Sequence, residues 1–174
     1  MKNQNNLTLV LGGAASGKSK FAETLCEQSG LAKIYIATAQ VFDDEMAAKI
    51  AAHLDQRGKN WTTIEVPLDV PNALATAKAG DIVLLDCATL WLTNVILGEH
   101  DLDAHRAALL TALSACAAPV VVVSNEVGMG IVPDNALSRR FRNAQGALNQ
   151  DIAAIADTVV AVMAGLPLAL KGNL

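Results

Sequence analysis

Eight consecutive residues, Gly12 to Ser19 (GGAASGKS), carry the spacing G-x-x-x-x-G-K-[ST], with Gly12, Gly17, Lys18 and Ser19 at its fixed positions. That spacing serves the holding of phosphate. Glycines let the backbone curl until successive N–H groups point inward at phosphate oxygens. A helix starting there adds the positive end of its dipole. Lys18 supplies a mobile charge for the outer phosphates and is expected to pack little, and the Ser19 hydroxyl can ligate Mg²⁺. Gly12, Gly13, Ala14, Ala15, Ser16, Gly17, Lys18 and Ser19 thus form one candidate triphosphate cradle. The competing reading is an ordinary glycine-rich turn. The flanks decide against it: Leu7–Leu11 is a β-leaning apolar run, and Lys20–Gln28 reads as a helix with Phe21, Ala22 and Leu25 on one face.

Other residues with chemistry in reach are fewer. Asp86 follows the run Ile82-Val83-Leu84-Leu85. An acid at the tip of a buried strand is either aimed at Mg²⁺ and its waters or caps a helix starting near Thr89, and the phosphate loop favours the metal. His53 shares a helical stripe with Met46, Ile50 and Arg57. A neutral imidazole can attack phosphorus, but periodicity alone favours a packed structural histidine. His100 and His105 flank a polar turn and read as exposed and idle. The segment Ser124–Pro133 (SNEVGMGIVP) is either one wall of a pocket or a buried connection. Arg139, Arg140 and Arg142 follow it, solvated or turned to an anion or a neighbouring subunit.

The elements that must position these groups alternate. Strands are expected at Lys33–Ala37, Thr62–Val66, Ile82–Asp86, Val120–Val123 and Thr158–Met163, with a hairpin across Gly165-Leu166-Pro167 into Leu168–Leu170. Helices are expected from Asp43 to near Gly58, from Pro71 towards Gly80, over Asp101–Ala117 and over Asp134–Ala156. Continuous apolar strands between helices predict a mainly parallel sheet buried on both faces. With the phosphate loop, the expected fold class is α/β, a P-loop NTPase (RecA-like) three-layer fold in one domain over residues 1–174.

Composition agrees. Of 174 residues, 52% are hydrophobic and 17% charged, enough for a sizeable core and against disorder. A net charge of -4 without a basic cluster argues against nucleic acid or an anionic membrane as partner. Cys26, Cys87 and Cys116 lack C-x-x-C spacing and read as reduced, mostly buried thiols of a cytoplasmic protein. MKNQNN leads straight into the first strand without a signal peptide, and Thr158–Leu170, broken by Gly165 and Pro167, is too short to insert in a membrane.

The motifs together resemble one family, the bifunctional adenosylcobinamide kinase / adenosylcobinamide-phosphate guanylyltransferases of cobalamin biosynthesis. The resemblance covers nearly the whole chain. It rests on GGAASGKS, YIATAQ with DDEMAAKIAAH, Trp61–Glu65, LLDCATLWLTN, SNEVGMGIVP, and FRNAQGALNQDIAAIAD with AGLPLALK. It implies that ATP or GTP phosphorylates adenosylcobinamide, and that GMP from GTP passes through a covalent histidine intermediate to that phosphate, with Mg²⁺ assisting. His53 matches the family's histidine by its place in the run I-A-A-H. Ala37, Thr38 and Ala39, the residues Leu54, Asp55, Gln56 and Arg57, and Glu65 and Asp86 match positions the family uses around GTP. A homo-oligomer, a trimer, is implied too. Two departures stand out: Ala15 replaces the arginine usual in the family's loop, and Asn143 replaces an acid. The alternatives are a small-molecule P-loop kinase without guanylyl transfer, in which His53 is structural, and a nucleotide-dependent switch module.

Overall fold

The computed structural model describes residues 6–40 and 60–174. The helix expected from Asp43 to near Gly58, and with it His53, Leu54, Asp55, Gln56 and Arg57, lies outside the described residues.

Seven strands form one sheet in the order β3-β2-β4-β5-β1-β6-β7. They are β1 (Leu7–Gly12), β2 (Ala32–Ala37), β3 (Trp61–Glu65), β4 (Asp81–Asp86), β5 (Val120–Asn125), β6 (Thr158–Met163) and β7 (Leu166–Lys171). Every neighbouring pair is parallel except β6 and β7. The described helices are α1 (Lys18–Gln28), α2 (Val70–Ala75), α3 (Ala88–Leu97), α4 (Leu102–Ala115) and α5 (Ala136–Ile155). This is the α/β, mainly parallel architecture that the alternation predicts.

The central strands β4 and β5 carry the continuous apolar runs Ile82–Leu85 and Val120–Val123 because both faces are covered. In β4, Ile82 and Leu84 pack towards α1 with Val10, Ala22, Cys26, Val121 and Val123. Val83 and Leu85 point the other way, into a larger core that α2, α3, α4 and α5 fill with Leu74, Trp91, Leu109, Leu113, Leu148 and Ile152. Each such side chain, fully buried, stabilises the fold by about 1.5–3 kcal/mol. Caps fix where helices begin: the Asp101 side chain accepts from the Ala104 N–H and Asn135 from the Ser138 N–H.

Three elements differ from the sequence reading, the first being the helix expected from Pro71 towards Gly80, which is the short α2 ending at Ala75. The turn between β6 and β7 is Ala164-Gly165, with φ of 51° and 76°, so Leu166 and Pro167 belong to β7. Two left-handed residues make the tight turn that suits antiparallel strands, and Pro167 is tolerated because β7 is an edge. Helix α3 is the larger surprise. Its sequence, ATLWLTNVIL, is apolar nearly all round and buried on most sides, so it shows no amphipathic period.

Candidate nucleotide site

The phosphate loop leaves β1 at its carboxyl end, where ligands of open parallel sheets sit. Gly17 stands at φ 93°, and a Cβ there would lie 3.0 Å from the Gly165 Cα. Only glycine meets both demands without strain. The Gly165 N–H donates to the Ser16 carbonyl at 2.8 Å, so the β6–β7 turn braces the loop from behind. Lys18 is only 8% exposed, against the expectation that it packs little. Its stem is enclosed at the start of α1, and its ammonium donates to the Gly13 carbonyl at 2.9 Å, across the mouth of the loop. Burial pushes its pKa down, while the neighbouring Cys87 and Asp86 pull it back up. A desolvated ammonium gains most from a phosphate that takes over its solvation. Ala15, the departure from the usual loop, is exposed at φ 54°.

Strand register sets the facing wall. Ala37 pairs with Glu65 on one side and with Asp86 on the other, so three residues matched to the family's GTP positions stand in one row across β3, β2 and β4. The Tyr35 hydroxyl donates to Asp86 Oδ2 at 3.1 Å. Asp86 does not cap α3; Cys87 does, its Sγ accepting from the Leu90 N–H at 3.4 Å. Thr38 is fully buried. Its hydroxyl accepts from the Cys87 N–H at 3.0 Å and donates to the Cys87 carbonyl at 2.8 Å. Burial and the Asp86 charge push the Cys87 thiol up to about 11, so it stays neutral.

The tip of β5 closes the third side. The Glu126 N–H donates to the Gly12 carbonyl at 3.1 Å, and the Asn125 N–H to Thr89 Oγ1 at 2.8 Å. Behind it, the Ser124 hydroxyl donates to Asn149 Oδ1 at 2.6 Å, and Gln145 Nε2 donates to both Ser124 Oγ and Asn149 Oδ1. The loop beyond is not a buried connection, because Met129 and Ile131 are 90% and 97% exposed. Arg142 holds it by donating to the Gly128 carbonyl at 2.6 Å, and the Glu126 carboxylate accepts from the Gly128 N–H. Arg139 donates to the carbonyls of Pro133 and Asp134. His105 is half-buried, its Nδ1 2.8 Å from the Asp101 carbonyl, and His100 packs against its ring.

The model of the cobinamide kinase / cobinamide phosphate guanyltransferase family matches residues 8–170. The chain belongs to this family. It is 48% identical to the bifunctional adenosylcobalamin biosynthesis protein CobP of Pseudomonas aeruginosa, over 95% of this chain and 97% of that one. It is 41% identical to the bifunctional adenosylcobalamin biosynthesis protein CobU of Salmonella typhimurium, over 95% and 99%. Solved structures share the fold alone. An ATPase of the type III secretion system of pathogenic bacteria superposes with a TM-score of 0.57 at 10% identity, over 95% of this chain and 57% of that one. A Pyrococcus horikoshii protein, PH0250, does so with 0.59 at 7% identity, over 98% and 88%.

Against the family's motifs, the structure brings the loop Gly12–Ser19, Asp86 and the Ala37–Ala39 turn to one edge of the sheet. Glu65, exposed, ends the row on β3. Sequence reasoning missed the bonds behind them: Thr38 with Cys87, Tyr35 with Asp86, and the amides of Asn94, Gln145 and Asn149. One signal was available, since an asparagine inside an apolar helix needs partners for its amide.

Proposed function

We propose that the chain performs both reactions of its family with one nucleotide-binding domain over residues 1–174. ATP or GTP phosphorylates the aminopropanol hydroxyl of adenosylcobinamide. GTP then gives its guanylyl group to that phosphate, forming adenosylcobinamide-GDP. The observation that carries this reading is the register that sets Glu65, Ala37 and Asp86 in one row across β3, β2 and β4, at the carboxyl ends of the strands where the Gly12–Ser19 loop also leaves β1.

The loop N–H groups and Lys18 hold the triphosphate, and Lys18 leaves the Gly13 carbonyl to meet the outer phosphates. The Ala37–Ala39 turn, Leu54 to Arg57, Glu65 and Asp86 hold the rest of GTP. His53 attacks the α-phosphorus, a P–N bond forms, and the bond to pyrophosphate breaks. Lys18 and the loop N–H groups stabilise the charge that develops on the leaving group. The phosphate of the corrinoid then displaces His53, so both substrates use one site in turn. In the kinase step the same loop presents the γ-phosphate to the hydroxyl, and the protein contributes position and charge. The Ser19 hydroxyl and the Asp86 carboxylate are hard oxygen donors, one of each. That small set fits Mg²⁺, which takes its other ligands from nucleotide phosphates and water. When bound, the ion spreads the negative charge of the triphosphate.

Association into a homo-oligomer, a trimer by family resemblance, is supported by an apolar stripe at the sheet edge, where Met163, Leu166, Leu168 and Leu170 are exposed. Three free, buried cysteines support a cytoplasmic place of work. No described helix is long and apolar enough to cross a membrane.

The test is incubation with α-labelled GTP and Mg²⁺, followed by denaturation. Label that survives alkali, washes out in acid and is absent from His53→Asn is the expected result. No label while corrinoid phosphorylation continues leaves a kinase without guanylyl transfer, and label on another residue leaves a different nucleophile; in both cases His53 is structural.

A further inference from the structure

We propose that Asn94 is a positioning residue for nucleotide binding, acting through the Ala37–Ala39 turn. The inference rests on the reading above that GTP occupies this turn. The β2 ladder ends at Ala37, so beyond it Thr38 is held by other means. Its hydroxyl is exchanged with the backbone of Cys87, next to Asp86. Its carbonyl accepts from Asn94 Nδ2 at 2.8 Å. The same nitrogen donates to the Pro67 carbonyl at 3.0 Å, just past the end of β3. Both protons of one amide are therefore spent on the connections leaving β2 and β3, the strands that carry Ala37 and Glu65. Asn94 is only 8% exposed, so water cannot readily replace it.

Position along α3 shows why this residue, and not the helix in general, sets the site. Trp91, one turn earlier, donates from Nε1 to the Leu68 carbonyl at 2.9 Å. That bond ties the same helix to the same β3–α2 connection but does not touch the Thr38 turn. Trp91 and Asn94 thus make comparable structural ties, and only one reaches a nucleotide-contacting segment. Removing the Asn94 amide leaves the Thr38 carbonyl without its buried donor and frees the turn to shift against Asp86.

The experiment measures GTP affinity by calorimetry and melting temperature on the same samples of the full chain. The variants are Asn94→Leu, which keeps the volume and removes the donor without adding a charge, and Trp91→Phe. Asn94→Ala replaces the former should it fail to fold. The expected result is a Kd for GTP raised about tenfold or more by the Asn94 change. Trp91→Phe should lower the melting temperature by a similar amount with its Kd within about twofold of wild type. Asn94 variants that melt early but bind GTP as wild type does would make Asn94 a structural residue only. An equal loss of affinity in Trp91→Phe would mean general loosening of α3. Both outcomes overturn the inference and leave the functional reading standing, whereas a wild-type protein that fails to bind GTP overturns both.

Discussion

The phosphate loop and the wall it faces are built by different means. The loop is made of near neighbours: Ser16 N–H to the Gly13 carbonyl, Lys18 to the same carbonyl five residues away, Phe21 N–H to the Gly17 carbonyl. Its long-range braces, from Gly165 and Glu126, are backbone to backbone and depend on no side-chain chemistry. The wall is made of distant pairs joined through side chains, with Tyr35 to Asp86 spanning 51 residues, Thr38 to Cys87 spanning 49 and Asn94 to Thr38 spanning 56. Removing a side-chain group from the loop should therefore remove chemistry with little loss of fold, whereas a Cβ forced onto its glycine backbone strains it. A change in the wall should shift geometry and stability together.

The sharpest break of that contrast is at Lys18. Because the side chain is buried, Lys18→Met, which keeps an apolar stem, isolates the charge better than alanine does. Both transfers should fall by about 10²–10³-fold in kcat, as when a preorganised transition-state donor is lost, while the melting temperature stays close to wild type. Steady-state rates and a thermal melt on one preparation check this. Near-normal rates would take the loop out of the mechanism. Next in size is Gly17→Val, which places a β-branched residue at φ 93° against the Gly165 Cα. Strain of about 1–3 kcal/mol is expected, with GTP binding lost as the loop opens, and chemical denaturation measures the first part. Unchanged stability would mean that the loop gives way without cost.

The same contrast explains what could be read from the chain. Loop, strands and amphipathic helices are local patterns, so β1, β4, β5, α4 and α5 lie within a few residues of where periodicity puts them. Helix α3 has no polar face to mark it, and its role depends on which strand tips it crosses, a fact of topology that no window of sequence contains. Thr38 is legible as a turn residue matched to the family, but its burial and its pairing with Cys87 follow from β2 lying beside β4. Asp86 was readable as an acid at a strand tip. That the cap is Cys87 was not, since a thiol is a weak acceptor and an unusual choice.

Thr38 tests the wall. Thr38→Val keeps the shape and removes the hydroxyl, leaving the Cys87 N–H buried without its acceptor, at a cost of about 1–3 kcal/mol. Thr38→Ser keeps the hydroxyl and should recover most of it, with GTP affinity following the same order. Urea unfolding of the three proteins decides. A valine variant as stable as wild type would show that the wall is held by strand pairing alone.

The smallest effect separates the face under α1 from the site itself. Burial, with Glu23 and Glu27 nearby, pushes the Cys26 thiol up to about 12 from its usual 9.0. The folded protein therefore keeps a proton that the unfolded chain gives up as pH rises past 9. Stability tied to this group is whole below pH 9 and is lost steadily from there towards pH 12. At pH 10 the loss is on the order of 1 kcal/mol, one pKa unit's worth. Cys26→Ala leaves a small void whose cost does not vary with pH, but it removes the titration. The difference in unfolding free energy between the two proteins should narrow by on the order of 1 kcal/mol between pH 8 and pH 10. Cys87, raised to about 11, titrates in both and cancels in the difference. A difference that stays constant with pH would mean that water reaches the Cys26 sulfur in the folded state and that α1 seals its face of the sheet less tightly than its packing against Val10, Tyr35 and Leu84 implies.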